Sequence, residues 1–148
     1  MTHSPQNNNK KTRRRAITLA LVPIVIAFGF ACKFYRGPGS DWVNNWGPAS
    51  AAYEWLWMLL VFALIPKRSF IVRIAVGVFV ATCAVEFLQL WQPAWLQQVR
   101  STLPGRFVLG TTFSWWDFPA YVVGSVTGAL GLLTICRTTE PTSTENDF

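Results

Sequence analysis

Apolar positions in this chain come in long blocks, not in alternation, and polar positions collect between the blocks and at both ends. Four blocks stand out: Ala16 to Tyr35, Ala49 to Ile65, Ile71 to Trp91, and Pro119 to Cys136. Each is close to the ~20 residues that a spanning helix needs, the last three slightly short of it or at it. The pattern therefore predicts four transmembrane helices. Pro66 stops the second and Pro93 follows the third. Pro23 and Gly29 fall inside the first, where a membrane helix tolerates them. Met1 to Thr12 is polar and rich in asparagine, and Arg137 to Phe148 is polar with Glu140, Glu145 and Asp147. Both ends read as disordered. The domain reading is a disordered basic tail over 1–15, a four-helix transmembrane domain over 16–136 and a disordered tail over 137–148.

Two carboxylates interrupt this pattern. Glu54 lies in the second block and Glu86 in the third. A carboxylate in hydrocarbon is costly and normally faces a partner or a water-filled site.

Composition agrees with a membrane protein. Charged residues make up 14% of the 148 residues and hydrophobic residues 51%, against about 25% charged in soluble domains. Eight tryptophans suit the two membrane interfaces. The net charge of +6 comes from 13 basic and 7 acidic residues. Lys10, Lys11, Arg13, Arg14 and Arg15 stand directly before the first apolar run, where topology-setting charges belong. No basic folded face accompanies them, so nucleic acid is not the expected partner.

Charge also sets the orientation. With the N-terminus in the cytoplasm, the cytoplasmic segments hold those five residues with Lys67, Arg68, Arg73 and Arg137. The external segments hold Lys33, Arg36, Arg100 and Arg106. Both termini are therefore placed inside. The basic N-terminus and its apolar run also resemble a signal peptide with small-x-small at Gly29-Phe30-Ala31. Three further apolar runs favour a retained first helix.

Two external segments follow from this topology. One is Arg36 to Pro48. The other is the long loop between helices 3 and 4, Gln92 to Phe118, which is rich in aromatic and aliphatic residues. A loop so long is usually functional or disordered, and this one is too apolar for disorder. A short interfacial helix near Ala94 to Thr102 and a turn at Pro104-Gly105 are expected there.

Depth and helical spacing then gather the polar residues. At 1.5 Å per residue, Glu54 lies about 7–8 Å below the outer surface, and Glu86 at a similar depth. Asp117 opens the fourth helix on the same side. Arg100 and Arg106 hang in the outer loop. Glu86 and Gln89 share a face. Asp117, Tyr121, Gly124, Gly128 and Gly131 form one stripe on the last helix. Gly124-x-x-x-Gly128 permits close helix approach, with Gly131 continuing that packing stripe. The candidate polar site is Glu54, Glu86, Gln89, Arg100, Arg106, Asp117 and Tyr121.

Each member has a plain reading beside the functional one. Glu86 is either a bundle-locking ion pair with an arginine or a site residue. Glu54 is either a neutral carboxyl with a hydrogen-bond partner or a site residue. Asp117 is either a helix cap or a site residue, and the two arginines are either head-group anchors or phosphate ligands.

The residues after Val85 also resemble a known pattern. The chain reads V-E-F-L-Q-L-W from Val85, then Arg100, then Gly105-Arg106-Phe107-Val108-Leu109-Gly110, then Trp115-Trp116-Asp117 and Tyr121-x-x-Gly124. This resembles a family of small bacterial integral membrane proteins of unknown function, related to the VanZ-like proteins. Glu86, Gln89, Arg100, Asp117 and Gly124 look like that family's Glu-x-x-Gln, loop Arg, last-helix Asp and Gly. Arg36-Gly37 and the Tyr53 region look like its first loop and second helix. The resemblance implies a VanZ-like bundle in the bacterial inner membrane and no established activity.

Function is left between classes. One is binding or processing of an anionic lipid or lipid-linked envelope precursor at the outer leaflet. There Arg100 and Arg106 would engage phosphate, while Glu86 would hold an arginine or act as a base. Another is a structural or assembly subunit with a membrane protein partner. A third is a small transporter using Glu54 and Glu86, disfavoured because neither lies at the midplane. His3 is the single histidine, and Cys32, Cys83 and Cys136 lack metal spacing. No metal, no cofactor and no hydrolase triad are expected, and enzyme activity is left open.

Overall fold

The computed structural model describes residues 5–45, 47–110 and 112–140. Regular structure among them is entirely helical. Seven α-helices run in the order α1 Pro5–Phe34, α2 Ser40–Asn45, α3 Pro48–Leu64, α4 Ile71–Gln89, α5 Ala94–Ser101, α6 Leu103–Leu109 and α7 Asp117–Thr138, with one 3-10 turn at Arg68–Phe70. Four helices are long and apolar enough to cross a membrane: α1, α3 together with the short α2 before it, α4 and α7. The chain is a multi-pass membrane protein.

Local sequence explains the ends. Pro48 opens α3 in the first turn, where a missing N–H costs nothing. Pro66 lacks the amide needed to carry α3 onward. Pro119 sits within the first turn of α7, and Thr102 caps α6 by accepting from the Gly105 amide at 3.1 Å. Pro23 stays inside α1.

Helix α3 is the centre of the bundle and packs on α1, α7 and α4; α4 and α7 also pack on each other. Contacts along the helices fix their relative directions. Arg15 reaches Ala63 and Leu64, while Gly29 faces Ala52, so α1 and α3 are antiparallel. Ser50 meets Asp117 and Glu54 meets Ser125, so α3 and α7 are parallel.

The bundle has a dry end and a polar end. Met58, Leu59 and Phe62 of α3 pack with Ile71, Ile74, Ala75 and Val78 of α4 and with Leu132, Ile135 and Cys136 of α7. This core fills the half beyond Glu54. The outer faces of the long helices carry exposed Leu19, Ile24, Val72, Val76, Val80, Val122, Val126 and Leu130. Such a surface suits lipid and not water.

Several expectations change here. The tail expected to be disordered over 1–15 is helix from Pro5 onward, and Arg14 is buried. Its side chain has carbonyl and hydroxyl partners at the dry end, which draws the helix past the apolar run. The expected tail over 137–148 begins as the last turn of α7, with Thr139 buried. Residues 1–4 and 141–148 lie outside the described residues. Helix α2 appears within the segment Arg36 to Pro48. The turn expected at Pro104-Gly105 is the first turn of α6, because proline is as well suited to a helix start as to a turn. Helix α5 covers Ala94–Ser101, where a short helix was expected. All three cysteines are free, with Cys32 and Cys136 buried.

Candidate polar site at the end of the bundle

Three carboxyl groups descend along α7, one per helical turn, and each accepts one hydroxyl hydrogen bond. At the top, Ser50 of α3 donates to Asp117 Oδ1 at 2.6 Å. One turn lower, Tyr121 donates to Glu86 Oε1 of α4 at 2.8 Å. One turn lower again, Ser125 donates to Glu54 Oε1 of α3 at 2.7 Å. The second oxygens of Glu54 and Glu86 are buried and have no hydrogen-bond partner. Glu54, Glu86, Gln89 and Asp117 are all buried, at 0%, 3%, 5% and 8% exposure.

This descent is possible because α3 and α7 lie close. An added Cβ on Gly124 would stand 2.8 Å from Glu54 Cβ and 3.2 Å from Ala51 Cα, and one on Gly128 would stand 2.8 Å from Met58 Sδ. Ser50, Glu54 and Met58 are spaced four apart on α3, so one face of α3 meets one stripe of α7. Gly131 differs from its expectation. Nothing lies within 4 Å of an added Cβ there, because the stripe turns to lipid before that level.

Above Glu54 a half-open cleft of about 720 Å³ is bounded by α1, α3, the end of α4, α6 and the segment before α7. Its wall holds Glu86, Gln89, Asp117, Tyr121, Lys33 and Arg106 among apolar and aromatic neighbours. Tyr53 on the same wall donates to the Val108 carbonyl at 2.9 Å, which pins α6 over α3.

Five of the seven expected site residues thus share one cleft: Glu86, Gln89, Arg106, Asp117 and Tyr121. Glu54 does not line it. It sits one turn below, sealed between α3 and α7. Arg100 does not line it either. Its guanidinium donates to the Leu88 carbonyl at 2.8 Å and to the Trp91 carbonyl at 3.3 Å. The Leu88 carbonyl lies in the last turn of α4, at the negative end of the helix dipole, and the Trp91 carbonyl lies just beyond the helix. Helix α5 folds back over that end and delivers the arginine to it. An arginine partner for Glu86 is likewise corrected. Among the described residues the ion pairs are Arg14–Glu140 and Arg68–Glu140, and Glu86 has a tyrosine instead.

The sequence reading missed Ser50 and Ser125 as partners, and it left Lys33 out of the site. Serine carries no signal by type. The four-residue step from Ser50 to Glu54 was the available clue, since it puts both on the face that also carries Met58.

Gly110 positions Gln89. Its φ is +63°, and an added Cβ would meet Gln89 Nε2 at 2.5 Å. Gly110→Ala is expected to cost about 1–3 kcal/mol through backbone strain alone, since ψ is 178° and this region is essentially restricted to glycine, and to displace the Gln89 amide. A thermal-shift comparison in detergent checks the first. Unchanged stability would show that the loop relaxes freely.

No solved structure matches this chain. A family model described as "Protein of unknown function (DUF2809)" matches residues 39–125. The matched stretch contains α3, α4 and the cleft residues Glu86, Gln89, Arg106, Asp117 and Tyr121, so the chain belongs to this uncharacterised family.

Proposed function

We propose that this protein binds a lipid, or a lipid-linked precursor, through its phosphate in the cleft at the polar end of the bundle. The observation that carries the reading is that two cations, Lys33 and Arg106, line one half-open cleft. Arg106 is exposed, and a guanidinium fork suits phosphate oxygens. Ile26, Phe30 and Phe34 of α1 line the same cleft and are exposed, so an acyl chain can lie along α1 while its headgroup enters.

The cleft faces the outer leaflet of a bacterial inner membrane in this reading, with both termini in the cytoplasm. Support comes from the basic residues at the opposite end, Arg14, Arg15, Lys67 and Arg68. The relation to VanZ-like proteins is part of the same proposal and rests on the order of Glu86, Gln89, Arg100, Asp117 and Gly124.

The two loop arginines should separate in experiment. Arg106→Ala is expected to reduce the lipid retained in native mass spectrometry about tenfold with the melting temperature unchanged, as for loss of one charge-assisted contact. Arg100→Ala is expected to cost about 1–2 kcal/mol of stability, because it removes the charge-assisted bonds that tie α5 to the end of α4. Equal lipid retention by wild type and Arg106→Ala would sink the phosphate reading.

A second reading, a subunit docking a membrane protein partner, draws on the aromatic group Phe87, Phe113, Trp115 and Phe118. Their rings pack at 5.0–6.3 Å, and Trp115 is 69% exposed. Co-purification of a stoichiometric membrane partner would favour it.

A further inference from the structure

We infer that the ligand of this cleft carries a primary ammonium beside its phosphate, as a phosphoethanolamine headgroup does. The inference rests on the phosphate reading above and adds a second recognition element to it.

The polar groups lining the cleft divide into two sets with opposite hydrogen-bonding needs. Three acceptor atoms of residues lining the cleft are buried and accept no hydrogen bond of good geometry: Glu86 Oε2, Gln89 Oε1 and Asn44 Oδ1, although the Gln89 side chain and the Ser114 backbone stand near the Glu86 carboxyl. Glu86 and Gln89 are one turn apart on α4, and both are more than nine-tenths buried. Asn44 reaches the cleft from α2, and its amide nitrogen is already used on the Tyr35 carbonyl at 3.1 Å. Buried acceptors in folded proteins are nearly always satisfied, so two side by side on α4 and a third on α2, all lining one cleft, call for donors. An ammonium group offers three N–H donors and no acceptor.

The remaining polar groups have the opposite need. Lys33 and Arg106 only donate; Lys33 reaches the Asn44 carbonyl at 3.4 Å and faces the Asp117 carboxyl, and an acceptor-rich anion would serve Arg106 and the rest of the Lys33 ammonium. A purely anionic ligand would answer the cations and bring more acceptors toward Glu86, Gln89 and Asp117. A simple amine would answer the acceptors and leave Arg106 unmatched. One small group carrying both charges answers both sets, and burial of a charge is tolerated when it is paired and hydrogen-bonded.

A quaternary ammonium has the charge but no N–H, so a matched pair of lipids isolates the donors. The test is native mass spectrometry of the full chain from nanodiscs holding phosphatidylethanolamine, phosphatidylcholine and phosphatidylglycerol with identical acyl chains in equal amounts. The ethanolamine lipid is expected to be retained about tenfold over the choline lipid, the step expected for charge-assisted hydrogen bonds. Glu86→Gln should erase that preference. Gln89→Met should reduce it, which serves if Glu86→Gln does not fold.

Equal retention of the ethanolamine and choline lipids by wild type overturns the inference. If Arg106→Ala still lowers both, the phosphate reading survives alone. If Arg106→Ala changes nothing, the phosphate reading itself has failed. Soluble phosphoethanolamine distinguishes the source of the group. Displacement of the lipid at millimolar concentration assigns the cleft to a free headgroup, and persistence of the lipid assigns it to a membrane-borne one.

Discussion

Gly124→Ala should destabilise the detergent-solubilised protein by about 2–3 kcal/mol, the upper part of the range for overpacking a tight contact. The nearest atoms to the new methyl are Glu54 Cβ at 2.8 Å and Ala51 Cα at 3.2 Å. Neither is the end of a flexible side chain, so α3 and α7 must move apart. That motion also lengthens the Ser125–Glu54 bond, now 2.7 Å, and leaves a buried carboxyl with no partner at all. Gly128→Ala should cost less. Its closest neighbour is Met58 Sδ, and a thioether on three rotatable bonds can yield. Gly131→Ala meets nothing within 4 Å and should leave stability unchanged or raise it by up to ~1 kcal/mol through helix propensity. Unfolding midpoints of the three variants check the order. If Gly131→Ala were the most damaging, the packing of α7 on α3 would be wrong.

That contrast also marks how far the sequence could be read. The four spans were legible because apolar runs of membrane length have few other uses. The ends of α3 and α4 lie within two residues of expectation, since Pro66 and Pro93 punctuate them. The association of Glu86, Gln89, Asp117 and Tyr121 was legible from helical spacing and shared depth. The stripe on α7 was legible too, but not where its partner stops following it. Spacing says which residues share a face, and only the neighbour's path says how many are covered.

The arginines were not legible, for a different reason. Pairing by unlike charge assigns Arg100 to a carboxylate or a phosphate. The unsatisfied carbonyls at a helix end compete for the same guanidinium, and they appear in the sequence only as a helix terminus. The bundle uses this device three times. Arg100 closes α4, Arg15 bonds the Ala63 and Leu64 carbonyls of α3, and Arg14 reaches the Cys136 carbonyl of α7. In lipid each uncapped carbonyl is costly, and an arginine on a neighbouring segment serves two at once. Basic residues read from sequence as topology signals therefore also hold the fold. Arg106 differs from these three: it is exposed and lines the cleft.

The same logic gives the other large effect, at the dry end. Arg14→Ala should cost about 3 kcal/mol, the scale for losing a buried guanidinium with charge-assisted bonds to several groups at once. Arg14 Nε donates to Thr139 Oγ1 at 2.9 Å, and its two terminal nitrogens reach the Pro66 carbonyl, the Cys136 carbonyl and Glu140 Oε1 at 3.4 Å each. One buried side chain of α1 thus ties the α3–α4 link to the end of α7. Arg14→Lys keeps the charge but not the fork, and should recover less than half of the loss. Glu140→Gln is the discriminating control. Its carboxylate is 43% exposed and shared with Arg68, and exposed pairs contribute about 0–1 kcal/mol. Urea or thermal unfolding in detergent should rank Arg14→Ala far below Arg14→Lys, with Glu140→Gln near wild type. A Glu140→Gln loss as large as that of Arg14→Ala would make the ion pair, and not the carbonyl contacts, the source of the stability.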